Sequence, residues 1–202
     1  MGENMRKPIL PAVILIALSC TFVRADNWPQ WRGPNRDGIS KETGLLKQWP
    51  ENGPPLAWKA KGAGFGYSSF AIVNGRLYTM GLRGDREYVI AFDEATGKEV
   101  WATPHGGAFR NDRGDGPRGT PTVEGNRLYA LGGDGDLSAL DVATGKVIWT
   151  MNVLKKFGGE QITWGISESP LIVGDTMYYV TPFPNILYAL DLKNNGAKKW
   201  EY

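Results

Sequence analysis

An all-β propeller built from four-stranded blades is the fold this sequence predicts, and three observations predict it. A phrase of eleven residues, Ala91-Phe92-Asp93-Glu94-Ala95-Thr96-Gly97-Lys98-Glu99-Val100-Trp101, returns as Ala139-Leu140-Asp141-Val142-Ala143-Thr144-Gly145-Lys146-Val147-Ile148-Trp149. A looser copy runs from Ala189-Leu190-Asp191 to Gly196-Ala197-Lys198-Lys199-Trp200, so the closing tryptophans stand 48 and 51 residues apart. A period of this size marks stacked supersecondary units. The stretch before each phrase is a series of short Val-, Ile- and Tyr-rich runs split by Asn74-Gly75, Glu124-Gly125 and Gly174-Asp175, which read as hairpin turns. No helical period interrupts them.

Residues 1–25 read as an export signal: Arg6 and Lys7 form a basic start, Ile9 to Leu18 an apolar run, and Val23 and Ala25 a small-residue cleavage site. Met5 would make a tidier start than Met1. The apolar run is short for a membrane span, which needs about 20 residues. Cys20 raises a lipoprotein reading, weakened by the Ala17-Leu18-Ser19 that precedes it. The mature chain is expected to be periplasmic or secreted, with no transmembrane segment.

The signal takes Arg6, Lys7, Arg24 and Glu3 with it, so the 23 basic and 21 acidic residues become equal in number. A near-neutral mature chain offers no basic stripe for nucleic acid. Cys20 is the only cysteine and His105 the only histidine, which excludes a disulfide, a thiolate metal site or a multi-histidine centre after cleavage.

Residues 26–54 form a Trp-, Pro- and Gly-rich lead-in, irregular but anchored by Trp28, Trp31 and Trp49. Repeats occupy 55–202, with blades at about 67–103, 118–152 and 167–202. The expected strands are Tyr67 to Val73, Arg76 to Gly81, Glu87 to Asp93 and Lys98 to Thr103 in the first. They are Arg118 to Val123, Arg127 to Leu131, Asp136 to Asp141 and Lys146 to Asn152 in the second. In the third they are Ser167 to Val173, Thr176 to Thr181, Ile186 to Asp191 and Ala197 to Tyr202. A β-sandwich would not need the same phrase three times.

The letters of the phrase have structural reasons. Asp93, Asp141 and Asp191 can accept hydrogen bonds from backbone N–H groups a few residues on, Thr96 and Thr144 add a hydroxyl, and Gly97, Gly145 and Gly196 supply a left-handed turn position. Trp101, Trp149 and Trp200 fall on outermost strands, and Ala91, Ala139 and Ala189 keep the space beside them small. One buried Trp removes about 150–250 Å² from water, or roughly 4–6 kcal/mol as an upper bound. Trp58, in Leu56-Ala57-Trp58-Lys59-Ala60, reads as an outermost strand with no blade before it.

These motifs resemble the repeat of the pyrroloquinoline quinone (PQQ) β-propeller family, Ala-x-Asp-x-x-Thr-Gly-Lys-x-x-Trp. Two copies match every fixed position, and the third has Asn for Thr and one inserted residue. The resemblance implies a ring of seven or eight blades. It covers quinoprotein alcohol dehydrogenases and also PQQ-like proteins that bind no quinone, among them the lipoprotein scaffold of the outer-membrane barrel-assembly machinery. Trp58 would then belong to a last blade absent here. Closing the ring would take further C-terminal blades or a second copy, so the sequence is expected to be the N-terminal part of a longer propeller.

Two longer connections, Pro104 to Pro117 and Val153 to Gly165, are where a top-face site is expected. The candidate top-face site residues are Arg110, Asn111, Asp112, Arg118, Glu160, Trp164 and Glu168, of which Asn111, Asp112, Arg118, Glu160 and Glu168 are the residue types that a PQQ–calcium site, as the resemblance implies it, would use. No cysteine pair is available to cover a quinone, and no catalytic residue is assigned. Gly132-Gly133-Asp134-Gly135-Asp136 reads as a hairpin turn, and Arg83-Gly84-Asp85 and Arg113-Gly114-Asp115 as polar turns. The leading expectation is a non-enzymatic exported scaffold without cofactor that binds an envelope protein. A PQQ/calcium-dependent dehydrogenase is the alternative, and a carbohydrate-binding propeller, suggested by Trp31 and Trp164, a third.

Overall fold

The computed structural model describes residues 26–184 and 186–202, so the export-signal reading lies outside the described residues. Alternation of apolar and polar residues, interrupted by turn formers, folds the chain into three four-stranded antiparallel sheets. The first contains β1 (Ala71–Val73), β2 (Arg76–Arg83), β3 (Arg86–Asp93) and β4 (Glu99–Gly107). The second contains β5 (Thr122–Glu124), β6 (Arg127–Leu131), β7 (Asp136–Asp141) and β8 (Val147–Asn152). The third contains β9 (Leu171–Val173), β10 (Thr176–Val180), β11 (Leu187–Asp191) and β12 (Ala197–Glu201). Within each sheet the strands lie in chain order, so each sheet is one blade of a β-propeller.

The same cross-strand row recurs in each blade. In the first it is Ala71, Tyr78, Ala91, Trp101; in the second Thr122, Tyr129, Ala139, Trp149; in the third Leu171, Tyr178, Ala189, Trp200. Alanine's small side chain lets the flanking Tyr and Trp rings meet above it, with centroids 5.9, 6.1 and 5.9 Å apart. The row of one blade packs on the back of the next. Tyr78, Met80, Val89 and Ala91 meet Val123, Leu128, Ala130 and Leu140 in one core; Tyr129, Leu131, Leu137 and Trp149 meet Ile172, Met177, Tyr188 and Leu190 in another.

Each Asp-x-x-Thr-Gly turn is held locally and read by the preceding tryptophan. Asp93 Oδ1 accepts from Thr96 N and Thr96 Oγ1 at 2.9 and 2.6 Å, and Asp141 Oδ1 does the same with Thr144 at 2.9 and 2.7 Å. Gly145 sits at φ +72° under the Trp101 indole, where a Cβ would come within 2.5 Å of the ring. Trp58 lies over Gly97 in the same way and donates from Nε1 to the Glu94 carbonyl at 2.8 Å. Trp149 approaches Gly196. In the third turn the inserted residue is absorbed by a one-turn 3₁₀ helix, Leu192–Asn194, with Asp191 accepting from Lys193 N at 3.0 Å.

Several expectations are corrected. The inner strands are three residues long, because the residues before them run along the ring's inner edge without a partner strand. Leu56 to Ala60 is not a strand: among the described residues no neighbour pairs with its backbone, and Trp58 alone docks. A short helix, α1 (Val153–Phe157), follows β8, with Asn152 accepting from Lys155 N and Gly158 closing it in the left-handed region. Five residues are too few for a helical period to register. Trp31 and Trp49 are exposed and anchor nothing, whereas Trp28 bridges to Ile72 through both backbone bonds at 2.7 and 2.8 Å. The lead-in then laces the other inner edges: Pro29 O accepts from Val123 N at 2.8 Å, and the Arg36 guanidinium donates to Ile172 O. Ile72, Val123 and Ile172 hold equivalent places in the three blades.

Candidate functional site

The third blade ends the described chain with its forward row uncovered. Leu171, Val173 and Trp200 are 39%, 54% and 45% exposed, where Trp149 in the same place one blade earlier is 8% exposed. A row of side chains suited to a blade–blade core therefore faces solvent among the described residues. The row runs into a cavity of about 550 Å³. Its walls are Trp31, Arg32 and Arg36 from the lead-in, the residues before β5 and β9, and Tyr178, Val180 and Leu187 from the uncovered sheet.

Of the residues singled out in the sequence, two line this cavity, Arg118 and Glu168. The Arg118 guanidinium donates to the Gly114 carbonyl at 2.7 Å and to that of Gly116, and it stacks 4.2 Å from the Phe109 ring centroid and 5.5 Å from that of Tyr67. Its charge is spent holding its own loop. Glu168 keeps contact with solvent, yet the protein packed around its carboxyl pushes its pKa up; Val180 N donates to it at 3.4 Å.

Arg110, Asn111 and Asp112 line a separate cavity of about 680 Å³ with Phe65, Tyr67 and Asp115. Arg110 pairs with Asp115 at 2.9 Å and donates to Gly84 O at 3.0 Å. Asn111 Nδ2 donates to Thr163 O at 2.5 Å, and Arg113 lies 4.4 Å from the centroid of Trp164, so the two long connections clasp each other. Glu160 is exposed and apart, its backbone N–H donating to Phe183 O at 2.8 Å. The seven residues thus divide among a cavity beside the uncovered sheet, a loop clasp and an exposed turn.

A quinone with its metal would need several carboxylate or amide oxygens converging beside a free guanidinium. The residues in place do not fit that requirement. Arg118 is occupied, Glu168 is the one carboxylate among the described residues lining its cavity, and Asn111 and Asp112 belong to another cavity.

Sequence reasoning passed over a buried pair. Glu87, the second residue of β3, lies on the same side as Val89 and Ala91, and all three are buried. That shared parity was the available signal. His105, near the end of β4, is buried beside it, and both face the Gly132–Gly135 turn of the second blade. Burial pushes the Glu87 carboxyl up to about 7 and the His105 imidazole down to about 4.

Comparison with known proteins places this geometry. The family described as outer membrane protein assembly factor BamB matches residues 42–202. Outer membrane protein assembly factor BamB of Shewanella oneidensis is 30% identical over 159 residues, covering 74% of this chain and 37% of that protein. A "putative dehydrogenase XoxF" of Paracoccus denitrificans is 42% identical over 57 residues, 28% of this chain and 8% of that one. The chain therefore spans well under half the length of these curated relatives. The quinohemoprotein alcohol dehydrogenase structure from Comamonas testosteroni superposes with a TM-score of 0.61 at 20% identity, over 87% of this chain and 27% of that one, a likeness of fold.

Proposed function

The chain belongs to the family described as outer membrane protein assembly factor BamB, and on that footing we propose that it is an exported, non-enzymatic propeller scaffold that binds an envelope protein. The observation that carries this reading is the row Leu171, Tyr178 and Trp200, which repeats the composition of a buried blade face and is left open. Covering such a row removes aromatic and aliphatic surface from water at about 25 cal/mol per Å². On this reading the covering surface is a protein presenting a similar sheet face; further blades of a longer chain in its place would make the row a seam between blades. No cofactor is needed for this role.

The local identity to a dehydrogenase supports the alternative, a PQQ/calcium-dependent oxidation of alcohols completed by blades beyond these three. One experiment separates the readings. The purified chain is incubated with PQQ and calcium and assayed for quinone absorbance and for alcohol-dependent dye reduction. In parallel, immobilised wild type and Leu171→Glu are exposed to an envelope extract. A scaffold gives no quinone signal and a discrete protein that Leu171→Glu fails to retain. Dye reduction, or equal retention by both, contradicts it.

A further inference from the structure

The buried pair Glu87 and His105 belongs to the first blade and lies at its seam with the second, and the hydrogen-bond directions around it can be assigned. Thr150 Oγ1 donates to Leu137 O at 3.3 Å, so it accepts from Ser138 Oγ at 3.0 Å. Ser138 has then given its only proton away, and at 3.1 Å from His105 Nδ1 it must accept. The imidazole hydrogen is on Nδ1, and Nε2 presents a bare lone pair. Nε2 is buried with no partner among the described residues; Glu87 Oε1 is buried too, with the Phe109 backbone N–H directed at the carboxyl. Glu87 Oε2 accepts from Gly133 N at 3.2 Å. The carboxyl and Nε2 stand on either side of Gly132: a Cβ there would lie 2.5 Å from Oε2 and 3.2 Å from Nε2. The charged groups on the facing blade are Asp134 and Asp136, which oppose ionisation of Glu87; Asp136, through its charge and its backbone, also favours the imidazolium of His105, more weakly than burial opposes it. A buried carboxylate with acidic neighbours and no cation is costly, whereas a carboxylic acid supplies the donor that the imidazole lacks.

We propose that Glu87 is a neutral acid and that one buried water above Gly132 accepts its proton in a hydrogen bond and donates to His105 Nε2, linking two strands of blade one at its seam with blade two. The bridge gives the bare Nε2 a donor, and a side chain at 132 would crowd the carboxyl that supplies its proton. It uses no residue of the open face and stands independently of the scaffold reading.

The bridge makes opposed contributions to stability. The Glu87 carboxyl titrates at about 7 folded against an ordinary 4.5, so the folded chain holds the extra proton and stability falls as pH rises through that window. The His105 imidazole titrates at about 4 against 6.5, so the unfolded chain holds the extra proton and stability rises with pH from about 4 to 6.5. At tenfold per pKa unit, each amounts to about 300-fold in the folding constant, and in the wild type the two oppose each other between about pH 4.5 and 6.5.

Urea unfolding of the chain from pH 4 to 8 tests this. The wild type should be nearly flat from about 4.5 to 6.5. Glu87→Gln should gain stability across that range, and His105→Gln should lose it. A Glu87→Gln profile that tracks the wild type overturns the proposal. A readout on unmutated protein guards against misfolding variants: the Glu87 side-chain carboxyl, followed by ¹³C NMR, should titrate near 7, and titration near 4.5 overturns it. A crystal structure grown near pH 5.5 should show a water within hydrogen-bonding distance of both groups. Direct contact between them overturns the bridge.

Discussion

The second and third blades carry the same row of side chains and meet different surroundings. Thr122, Tyr129, Ala139 and Trp149 are buried against the third blade, while Leu171, Tyr178 and Trp200, in matching register, face outward. The repeated phrase therefore encodes two things at once. Its Asp, Thr and Gly build a turn that is complete within one blade. Its Trp is a demand on the next blade, and is met only when a glycine turn arrives beneath it. A blade can fold locally and still present an unmet surface.

Breaking the covered row should have the largest effect. Trp149→Ala should cost about 3–5 kcal/mol of unfolding free energy in urea titration, since it empties the seam between the second and third blades. Next comes Gly145→Ala: the new Cβ meets the Trp101 ring at a backbone φ of +72°, and a loss of about 2–3 kcal/mol is expected from the same titration. Arg127 Nη1 donates to Leu192 O of the third blade at 2.9 Å, as Arg76 Nη1 does to Ala143 O at 2.7 Å one seam earlier. Arg127→Met should cost about 1–2 kcal/mol. Thr176 holds the matching position in the third blade, opposite Asp191. The smallest effect belongs to Trp200→Ala, under about 1 kcal/mol in the isolated chain, because nearly half the residue is already in water. A loss as large as that of Trp149→Ala would erase the distinction between the two rows.

Much of the fold was readable in the sequence because a propeller repeats its constraints. Tryptophan spacing, Asp-to-Thr turn chemistry and strand alternation all point to the same unit. The elements read less well are those with weak local signals. The three-residue inner strands are fixed by the lead-in, whose bonds to Ile72, Val123 and Ile172 bridge distant sequence. Helix α1 is written in its caps, Asn152 and Gly158, rather than in any period. Trp31 and Trp49 are apolar by type, yet stay exposed. The candidate site was less legible still. Arg110, Asn111 and Arg118 have suitable chemistry but spend it on their own loops. Glu87 was hidden in a strand, where only its parity with Val89 and Ala91 marks it as buried.

Site-specific photocrosslinking at position 200, in the cells that make the protein, tests the central claim most directly. A photoreactive residue in place of Trp200 should give one discrete adduct with another polypeptide; an internal link to further blades of a longer chain would make the row a seam between blades and contradict the scaffold reading. The same residue placed at Asp85, on the exposed β2–β3 turn, should give none. Equal labelling at both positions, or none at 200, would contradict the view that the open row of the third blade is a binding surface.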